Sequence, residues 1–489
     1  MIFYLMDNFQ KLYINLQKRM LHLETVIGGL QVEVKFLRQE NLVLKQENAE
    51  LKAENLALKE EIHALKKENE SLKDKLGLNS KNSSIPSSKE LYKIKNENRK
   101  GSVLKQGAQA GHKGHVRDKP IADEIVKIPL ASNECECGGE ICISSNLHVR
   151  QKIDIPDIRP HVMEYHMERG RCKKCGKRKS SQLPTNIGSD LFGPRIKSVI
   201  SSLTGFYKNS KRDVENILKD IFNLEISLGT ISNSEAKVSE KCKDAYEKVE
   251  LELSYSKMLH IDETSHYHKG KLGWVWMFTN SMSSLIKIEK SRGMKILENS
   301  MFGVDDSIII TDRYAAYNYF EESNRQICWS HLARDFERFA NSSNQSVKIV
   351  GKYLKQVARE IFALKLALQD KKINLAIFSR RAKKLRLRTW NYLKDLTDLK
   401  EAVHAARVAK NIIKSENMMW KFLSDPINIP LTNNHAERQI RHYVTYRKNS
   451  YFSQSDRGDR FLERIISLYL TWKQQSQNPF KNLNLLLTG

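Results

Sequence analysis

The sequence predicts a multidomain α/β chain: a coiled coil at the N-terminal end, a small cysteine module, a helical segment and then a mixed α/β domain. Three observations carry this. Leucine occupies every seventh position from Leu30 to Leu72, five of the seven cysteines fall between Cys135 and Cys175, and from Lys257 onward short apolar runs end one after another in polar or acidic residues. At roughly 150 residues per domain, 489 residues suffice for about three domains. The 40% hydrophobic content supports more than one packed core and excludes global disorder.

Charge narrows the partners. Lys and Arg number 82 against 57 Asp and Glu, a net charge of +25. No run of about 18 apolar residues occurs, and the opening MIFYLM stops at Asp7, short of a signal-peptide core of about 7–15 residues. The expectation is a soluble cytoplasmic protein with no membrane partner. Seven cysteines are too few and too clustered for a disulfide scaffold, which leaves metal binding or burial in a reducing compartment. With membrane and export set aside, so large a positive excess makes nucleic acid the leading partner.

Residues 1–29 read as a helical lead-in and 30–78 as a leucine zipper. With Leu30, Leu37, Leu44, Leu51, Leu58, Leu65 and Leu72 at heptad position d, position a holds Asn41, Asn48, Asn55, Ile62, Asn69 and Leu76. Position g holds Glu40, Glu47, Glu54, Glu61 and Glu68, and position e holds Arg38, Lys45, Lys52, Lys59, Lys66 and Lys73. In a parallel two-stranded coil each g faces the next heptad's e on the partner, so a homodimer through residues 30–76 satisfies every pair. Asn at a bonds to its equivalent only when the strands are in register, giving up stability for specificity. A solvated surface helix would not sort its charges in this way.

Residues 79–122, from NSKNSSIPSSKE through QGAQAGHKGH, are polar, basic and rich in Ser, Asn, Gly and Lys. They read as a flexible linker whose cations can track phosphates. Residues 123–182 alternate short β-like runs with cysteines. Cys172 and Cys175 form CKKC before Gly176, Cys135 and Cys137 precede Gly138, and Cys142 offers Cys137 an alternative partner. Four thiolates, with Cys135, Cys137, Cys172 and Cys175 the leading set, make a closed tetrahedral Zn²⁺ site that supplies folding energy to so small a module. The competing reading is a set of free thiols. Cys242 and Cys328 stand alone and read as core.

Residues 183–250 carry three helix-like stretches, FGPRIKSVISSL, SKRDVENILKDIF and SLGTISNSEAKVSEK. The last two meet near Gly229, with Thr230 placed to cap and with Ser232, Asn233 and Lys237 on the second helix. That is the layout of a helix-turn-helix, whose second helix enters a major groove. A three-helix packing unit has the same pattern.

From Lys257 the runs KMLHIDET, GWVWMFTN and SSLIKIEK, a helix near 292–301, then SIIITDRYAAY and RQICWSH give a three-strand meander followed by αβαβ. This is the order of an RNase H-like domain, spanning 255–475. Asp262 closes the first strand and Asp312 the fourth, so if these strands are neighbours both carboxylates leave the same end of the sheet. Mg²⁺ (or Mn²⁺) accepts such oxygen ligands and keeps waters, and two such ions activate a hydroxyl and stabilise the leaving oxygen of an in-line displacement. The third acid is Glu437, near the start of a helix that Thr432, Asn433 or Asn434 can cap. Arg438, Arg441, Arg447 and Lys448 follow it and suit a phosphate backbone. His331 and Arg438 are candidates to assist at the phosphate or a metal-bound water. Glu263 reads as a brace for the strand end, Trp274, Trp276 and Phe278 as core, and Asp305, Asp306 and Asp335 as substitutes for Asp312. Residues 332–428, with Arg380, Arg381, Lys383 and Lys384 in RRAKKLRLR, read as a basic α-helical insertion that contacts DNA, and 476–489 as a C-terminal tail.

In this order, IDET, TDRYAAYN, ICWSHLARDFER and LTNNHAERQIRHYVTYRKNSYFSQSDRGDR resemble the DDE transposases of the insertion sequence 66 family of bacteria and archaea. The likeness extends upstream through the NSS-type linker, GHKGH, the cysteine module and FGPRIK, over about nine-tenths of the chain. It implies an RNase H-like core in which Asp262, Asp312 and Glu437 bind two divalent metals. CxC stands where the family has CxxC in the first half of the zinc module, and Thr432 where many members have Asp. The resemblance implies a nucleoid-associated transposase of a prokaryotic cell. Such an enzyme binds the terminal inverted repeats of its element as a dimer, cleaves phosphodiester bonds and joins the freed 3′-hydroxyls to target double-stranded DNA, with accessory proteins of the element as further partners. The competing readings are a non-catalytic DNA-binding regulator and a structure-specific nuclease on the same core; the three intact acids weigh against the regulator.

Overall fold

The computed structural model describes residues 2–76, 118–145, 148–184, 187–188, 190–300 and 306–488. Residues 79–117 of the expected linker, and Asp305, lie outside these. The chain divides into two units: Met1–Ser88 with Ala333–Arg359 and Leu387–Ile413, and Lys89–Leu332 with Glu360–Arg386 and Lys414–Gly489.

In the first unit α1 runs unbroken over Ile2–Leu76, so the expected lead-in and zipper are one helix. Gly28 and Gly29 do not interrupt it. Its seven d-position leucines are each 48–56% exposed, and Asn48 and Asn55 donate to the Leu44 and Leu51 carbonyls at 3.0 Å within their own helix. The unit also holds parts of α7 (Trp329–Ala340), α8 (Gln345–Gln369), α9 (Leu375–Asp398) and α10 (Val403–Lys414). Gly351 allows α8 to pass close to the end of α7, since a Cβ there would lie 2.3 Å from the Ala340 nitrogen.

The second unit opens with the cysteine segment, whose regular structure is the hairpin β1 (Arg169–Arg171) and β2 (Arg178–Ser180). Four helices follow: α2 (Pro194–Ser201), α3 (Lys211–Phe222), α4 (Leu228–Lys241) and α5 (Lys243–Ser254). Ile200, Val214, Leu218, Ile226 and Ile231 form a small core among α2, α3 and α4. Asn223 closes α3 in the left-handed region, φ 52°. Ser227 caps α4 by accepting from the Thr230 amide, so Thr230 is not the cap and Gly229 lies inside the first turn. The serine is favoured because its oxygen reaches an amide the helix cannot satisfy itself.

A five-stranded sheet follows, built from β3 (Met258–His268), β4 (Lys271–Thr279), β5 (Ser284–Glu289), β6 (Ile308–Thr311) and β7 (Arg325–Ile327), with α6 (Lys295–Ser300) between β5 and β6. The order is β5-β4-β3-β6-β7, with β3, β4 and β5 antiparallel and β6 and β7 parallel to β3. Lys269 and Gly270, both at positive φ, make the two-residue turn of the β3–β4 hairpin. Trp276, Met277, Phe278 and Cys242 are wholly buried in the main core, and Cys328 is wholly buried as well. Burial pushes the Cys242 thiol up to about 12. Helices α11 (Glu416–Met419), α12 (Asn434–Ser450), α13 (Asp456–Gln474) and α14 (Pro479–Thr488) complete the unit. Among the described residues no helix is long and apolar enough to cross a membrane.

The open edge of the sheet is closed by side chains. On β5 the amides of Ser284, Ile286 and Ile288 face outward at strand period, and on α13 Thr471, Ser467 and Glu463 recur at four-residue spacing on one helix face. Each accepts one amide, at 3.0, 2.8 and 2.6 Å. An edge that would otherwise template strand pairing is thus covered. Burial of Glu463 raises its pKa to about 7. Its stabilising contribution is then complete below about 4.5, its unfolded value, and is lost as pH rises through about 7. Glu463→Gln keeps the acceptor and cannot ionise. The variant's stability relative to the parent, read from urea midpoints, is expected to rise between pH 5 and pH 8, by about 3 kcal/mol at most.

Candidate active site

Strands β3 and β6 lie side by side, with Met258 opposite Ile308 and His260 opposite Ile310. Carried on by two residues, this register sets Asp262 beside Asp312. Strand β6 ends at Thr311, and Asp312 turns the chain by accepting from the Tyr314 amide at 2.8 Å. Asp262 has a pKa well above the usual carboxylate range. Burial is the largest cause, and the charges of Glu263, Asp312 and Glu437 add to it. The three expected acids therefore share one electrostatic environment.

Glu437 reaches it from the first turn of α12. Asn433, just ahead of that helix, makes no side-chain cap. Its Nδ2 donates instead to the Ile261 carbonyl at 2.7 Å, its Oδ1 meets His260 Nδ1 at 3.0 Å, and its amide donates to Cys328 Sγ at 3.2 Å. One buried side chain thus fixes the start of α12 against β3, one residue before Asp262. Burial pushes His260 down to about 4, so it stays neutral in this role. Glu437 Oε1 lies 3.7 Å from His331 Nδ1, and Cys328 Sγ, His331 and Glu437 present donor atoms within 4.8 Å of one another.

Glu263, adjacent in sequence, faces the other side of the strand. Its side chain is 2% exposed and accepts from the Tyr317 hydroxyl and from Arg292, whose Nε lies at 2.9 Å. Arg292 in turn lies over the rings of Tyr314 and Trp274, 3.7 and 4.6 Å from their centroids. Glu263 therefore braces β3 to the segment that follows Asp312.

The family model of the IS66 transposases matches residues 211–460, more than half of the chain and all three acids. The chain belongs to the transposase IS66 family. A second match, over residues 38–118, is to a family of unknown function (DUF6444). No curated protein matches the chain.

The other expected site residues of this IS66 transposase fall in different surroundings. Arg441 and Lys448 on α12, and Arg380, Arg381, Lys383 and Lys384 on α9, are exposed. Arg438 is exposed beside Glu437 and lines a pocket of about 630 Å³ with Lys257, His260, Asn280 and His435, in which no lining residue is acidic. Arg447 is placed differently. It is half-buried and donates to Thr264 Oγ1 at 2.8 Å and to Ser265 Oγ at 2.9 Å, so it braces β3. On α4 Ser232 accepts from Lys211 at 2.7 Å, Lys237 pairs with Asp190, and Asn233 is exposed. Of the substitutes for Asp312, Asp306 is exposed ahead of β6, and Asp335 belongs to the other unit.

The cysteines form two similar turns. The Cys135 amide donates to the Gly139 carbonyl, the Cys172 amide donates to the Lys177 carbonyl, and Gly138 and Gly176 take positive φ. Hydrogen bonding from the Cys137 backbone lowers the Cys135 thiol, and from the Cys175 backbone the Cys172 thiol. Each turn draws its own pair together, but no three of the five thiols lie within 4.8 Å of one another.

Sequence reasoning missed Asn433 as a tertiary anchor and Tyr317 as the partner of Glu263. The doubled Asn before a helix and the Tyr five residues after Asp312 were the available signals.

Proposed function

We propose that this chain is a DDE-type DNA transposase with an RNase H-like core, in which Asp262, Asp312 and Glu437 hold the catalytic metals. The observation that carries this is the convergence of three carboxylates from β3, the end of β6 and the start of α12, where burial first and the charges of Glu263, Asp312 and Glu437 next raise the pKa of Asp262. A fold that gathers negative charge at that cost fits a divalent cation, whose charge offsets the repulsion. When bound, Mg²⁺ or Mn²⁺ supplies the Lewis-acid charge that activates a water or 3′-hydroxyl and stabilises the leaving oxygen.

The chain's own residues do the rest. Asn433 and Glu263 hold the acids in register, His331 sits within reach of Glu437 to orient it, and Arg438, Lys257, Arg441 and Lys448 receive phosphates of the DNA strand. We read α3 and α4 as a helix-turn-helix that reads the element ends, with Asn233 exposed on its second helix. The cysteine turns are suited to Zn²⁺, which would draw the two pairs into one tetrahedral set. The half-exposed leucine stripe of α1, with Glu and Lys sorted by position, supports a parallel homodimer that brings two DNA ends together.

The test is a labelled element end incubated with the full chain and Mg²⁺. Products joined to a second DNA are expected. Products that are cut but never joined would make it a nuclease, and binding without cutting a regulator.

A further inference from the structure

At the far end of β3 lies a second group of ligating side chains, which the reading above does not use. His266 and His268 stand two residues apart and so on one face of the strand, while Asp456 and Asp459 stand three apart and so on one face of the first turn of α13. His266 Nε2 is 3.1 Å from Asp459 Oδ1, His268 Nδ1 is 2.6 Å from Asp459 Oδ2, and His268 Nε2 is 3.4 Å from Asp456 Oδ1. The donor atoms of His266, His268 and Asp459 all lie within 4.8 Å of one another.

We propose that His266, His268 and Asp459 form a structural site for a divalent transition metal, with Zn²⁺ the ion its donors suit best and with Asp456, which faces the far nitrogen of His268, as an outer partner. Two imidazoles and a carboxylate, with a water in the fourth position, are a set of the borderline kind that Zn²⁺ accepts. With arms of about 2.0–2.1 Å, neighbouring ligand atoms around such an ion stand roughly 3.3 Å apart. The spacings within the set, 3.1 Å from His266 Nε2 and 2.6 Å from His268 Nδ1 to Asp459, lie close to that value, so only small side-chain adjustments are needed.

The surroundings are those of a ligand set. His266 is fully buried and its other nitrogen, Nδ1, is bonded to the Tyr443 hydroxyl, the kind of outer partner that fixes a ligating imidazole and frees Nε2. Binding then moves one proton. The proton on Nε2, which meets Asp459 in the metal-free form, is relocated to Nδ1, so that Nε2 is free for the ion and Nδ1–H donates to the Tyr443 oxygen. The Ser453 hydroxyl donates to Asp459. Burial acts to raise Asp459, but hydrogen bonds from His266, Ser453 and His268 outweigh it and hold its carboxyl below the usual range, ionised.

The site also has something to hold. The chain between α12 and α13 passes through Tyr451 and Phe452 at φ 52° and 69°, a conformation costly for bulky side chains that persists only where the surroundings impose it. Ser453 then pairs with His268 as an isolated bridge. A metal here would clamp the strap after α12, which carries Glu437, onto β3, which carries Asp262. The inference does not depend on the transposase reading.

The test uses the full chain carrying Cys135→Ser, Cys137→Ser, Cys172→Ser and Cys175→Ser, so that neither cysteine turn reports. Stripped with a chelator and titrated with Co²⁺, it is expected to show the intense visible absorption of a tetrahedral site, with no thiolate charge-transfer band. Adding His268→Asn is expected to abolish that absorption and to lower bound Zn²⁺ by one equivalent per chain. If circular dichroism shows that this variant does not fold, Asp456→Asn takes its place, since that carboxylate is 74% exposed and its loss leaves the fold intact. It is expected to weaken the metal by at least about tenfold. Unchanged absorption and zinc content in the folded variant would overturn the proposal and leave a hydrogen-bonded His–Asp clasp.

Discussion

Asp262→Asn is expected to abolish DNA cleavage and joining while leaving, or even raising, the stability of the fold. The substitution keeps the shape of the side chain and removes its charge. Losing one metal ligand removes several kcal/mol of transition-state stabilisation, and each 1.36 kcal/mol is tenfold in rate, so a loss of at least about 10³ is anticipated. Stability moves the other way because Asp262 is strained as a carboxylate. Its pKa is raised by burial first and by Glu263, Asp312 and Glu437 next, so the fold favours its neutral form and loses stability as pH rises through that raised value. Asn never carries the charge, and the melting temperature at pH 8 should match or exceed that of the parent. DNA binding by mobility shift should persist, since phosphate contacts come from cations elsewhere. Asp312→Asn and Glu437→Gln should lose activity to the same extent. Cleavage at the parental rate in any one of the three removes that acid from the catalytic set, and a melting temperature that falls sharply would mean that the carboxylate is structural.

The opposed responses of activity and stability bear on what the sequence could disclose. Asp262 and Asp312 were legible because each ends an apolar run, and the order of those runs places their strands side by side, as the parallel pairing of β3 with β6 shows. Glu437 was legible only through its motif, because nothing local tells a helix-start glutamate at a site from a solvated one. The brace that Arg447 forms was hidden for a related reason. An arginine in a basic run looks exposed, and whether its long side chain turns outward or back to Thr264 and Ser265 is decided by which face of α12 meets β3. Asn433 shows a different limit. A polar residue ahead of a helix normally caps it, yet the same side-chain amide can bond across space, and here the carbonyl of Ile261 and the ring of His260 take it. Likewise Glu463, Ser467 and Thr471 look like the polar face of an amphipathic helix. Only when α13 is laid against the sheet edge do they prove to be its hydrogen-bond partners.

Glu263→Ala is expected to cost the fold about 3–5 kcal/mol, and to lower cleavage further than that loss of folded protein explains. Removing the carboxylate strips Arg292 of its charged partner while the guanidinium stays between Tyr314 and Trp274. It also leaves the wholly buried Tyr317 hydroxyl without its acceptor. Glu263→Gln separates the two losses. Its side-chain oxygen still accepts from Arg292 and its amide, in place of the second oxygen, donates to the Tyr317 hydroxyl oxygen, with no charge; because burial and Asp312 already raise the pKa of Glu263, part of that charge is a burden to the fold. The glutamine variant should therefore lose about 1–2 kcal/mol, in line with weakening hydrogen bonds that remain satisfied. The brace runs from β3 to the segment just after Asp312, so loosening it should displace one acid relative to another. Cleavage rate at saturating DNA should fall in Glu263→Ala, measured below its unfolding transition, with half-saturation little changed, because the acids and not the DNA-binding cations are misplaced. Equal losses of stability in the alanine and glutamine variants would show that the charge on Glu263 supplies what holds the two segments together. A rise in half-saturation at constant maximal rate would place Glu263 in DNA binding instead.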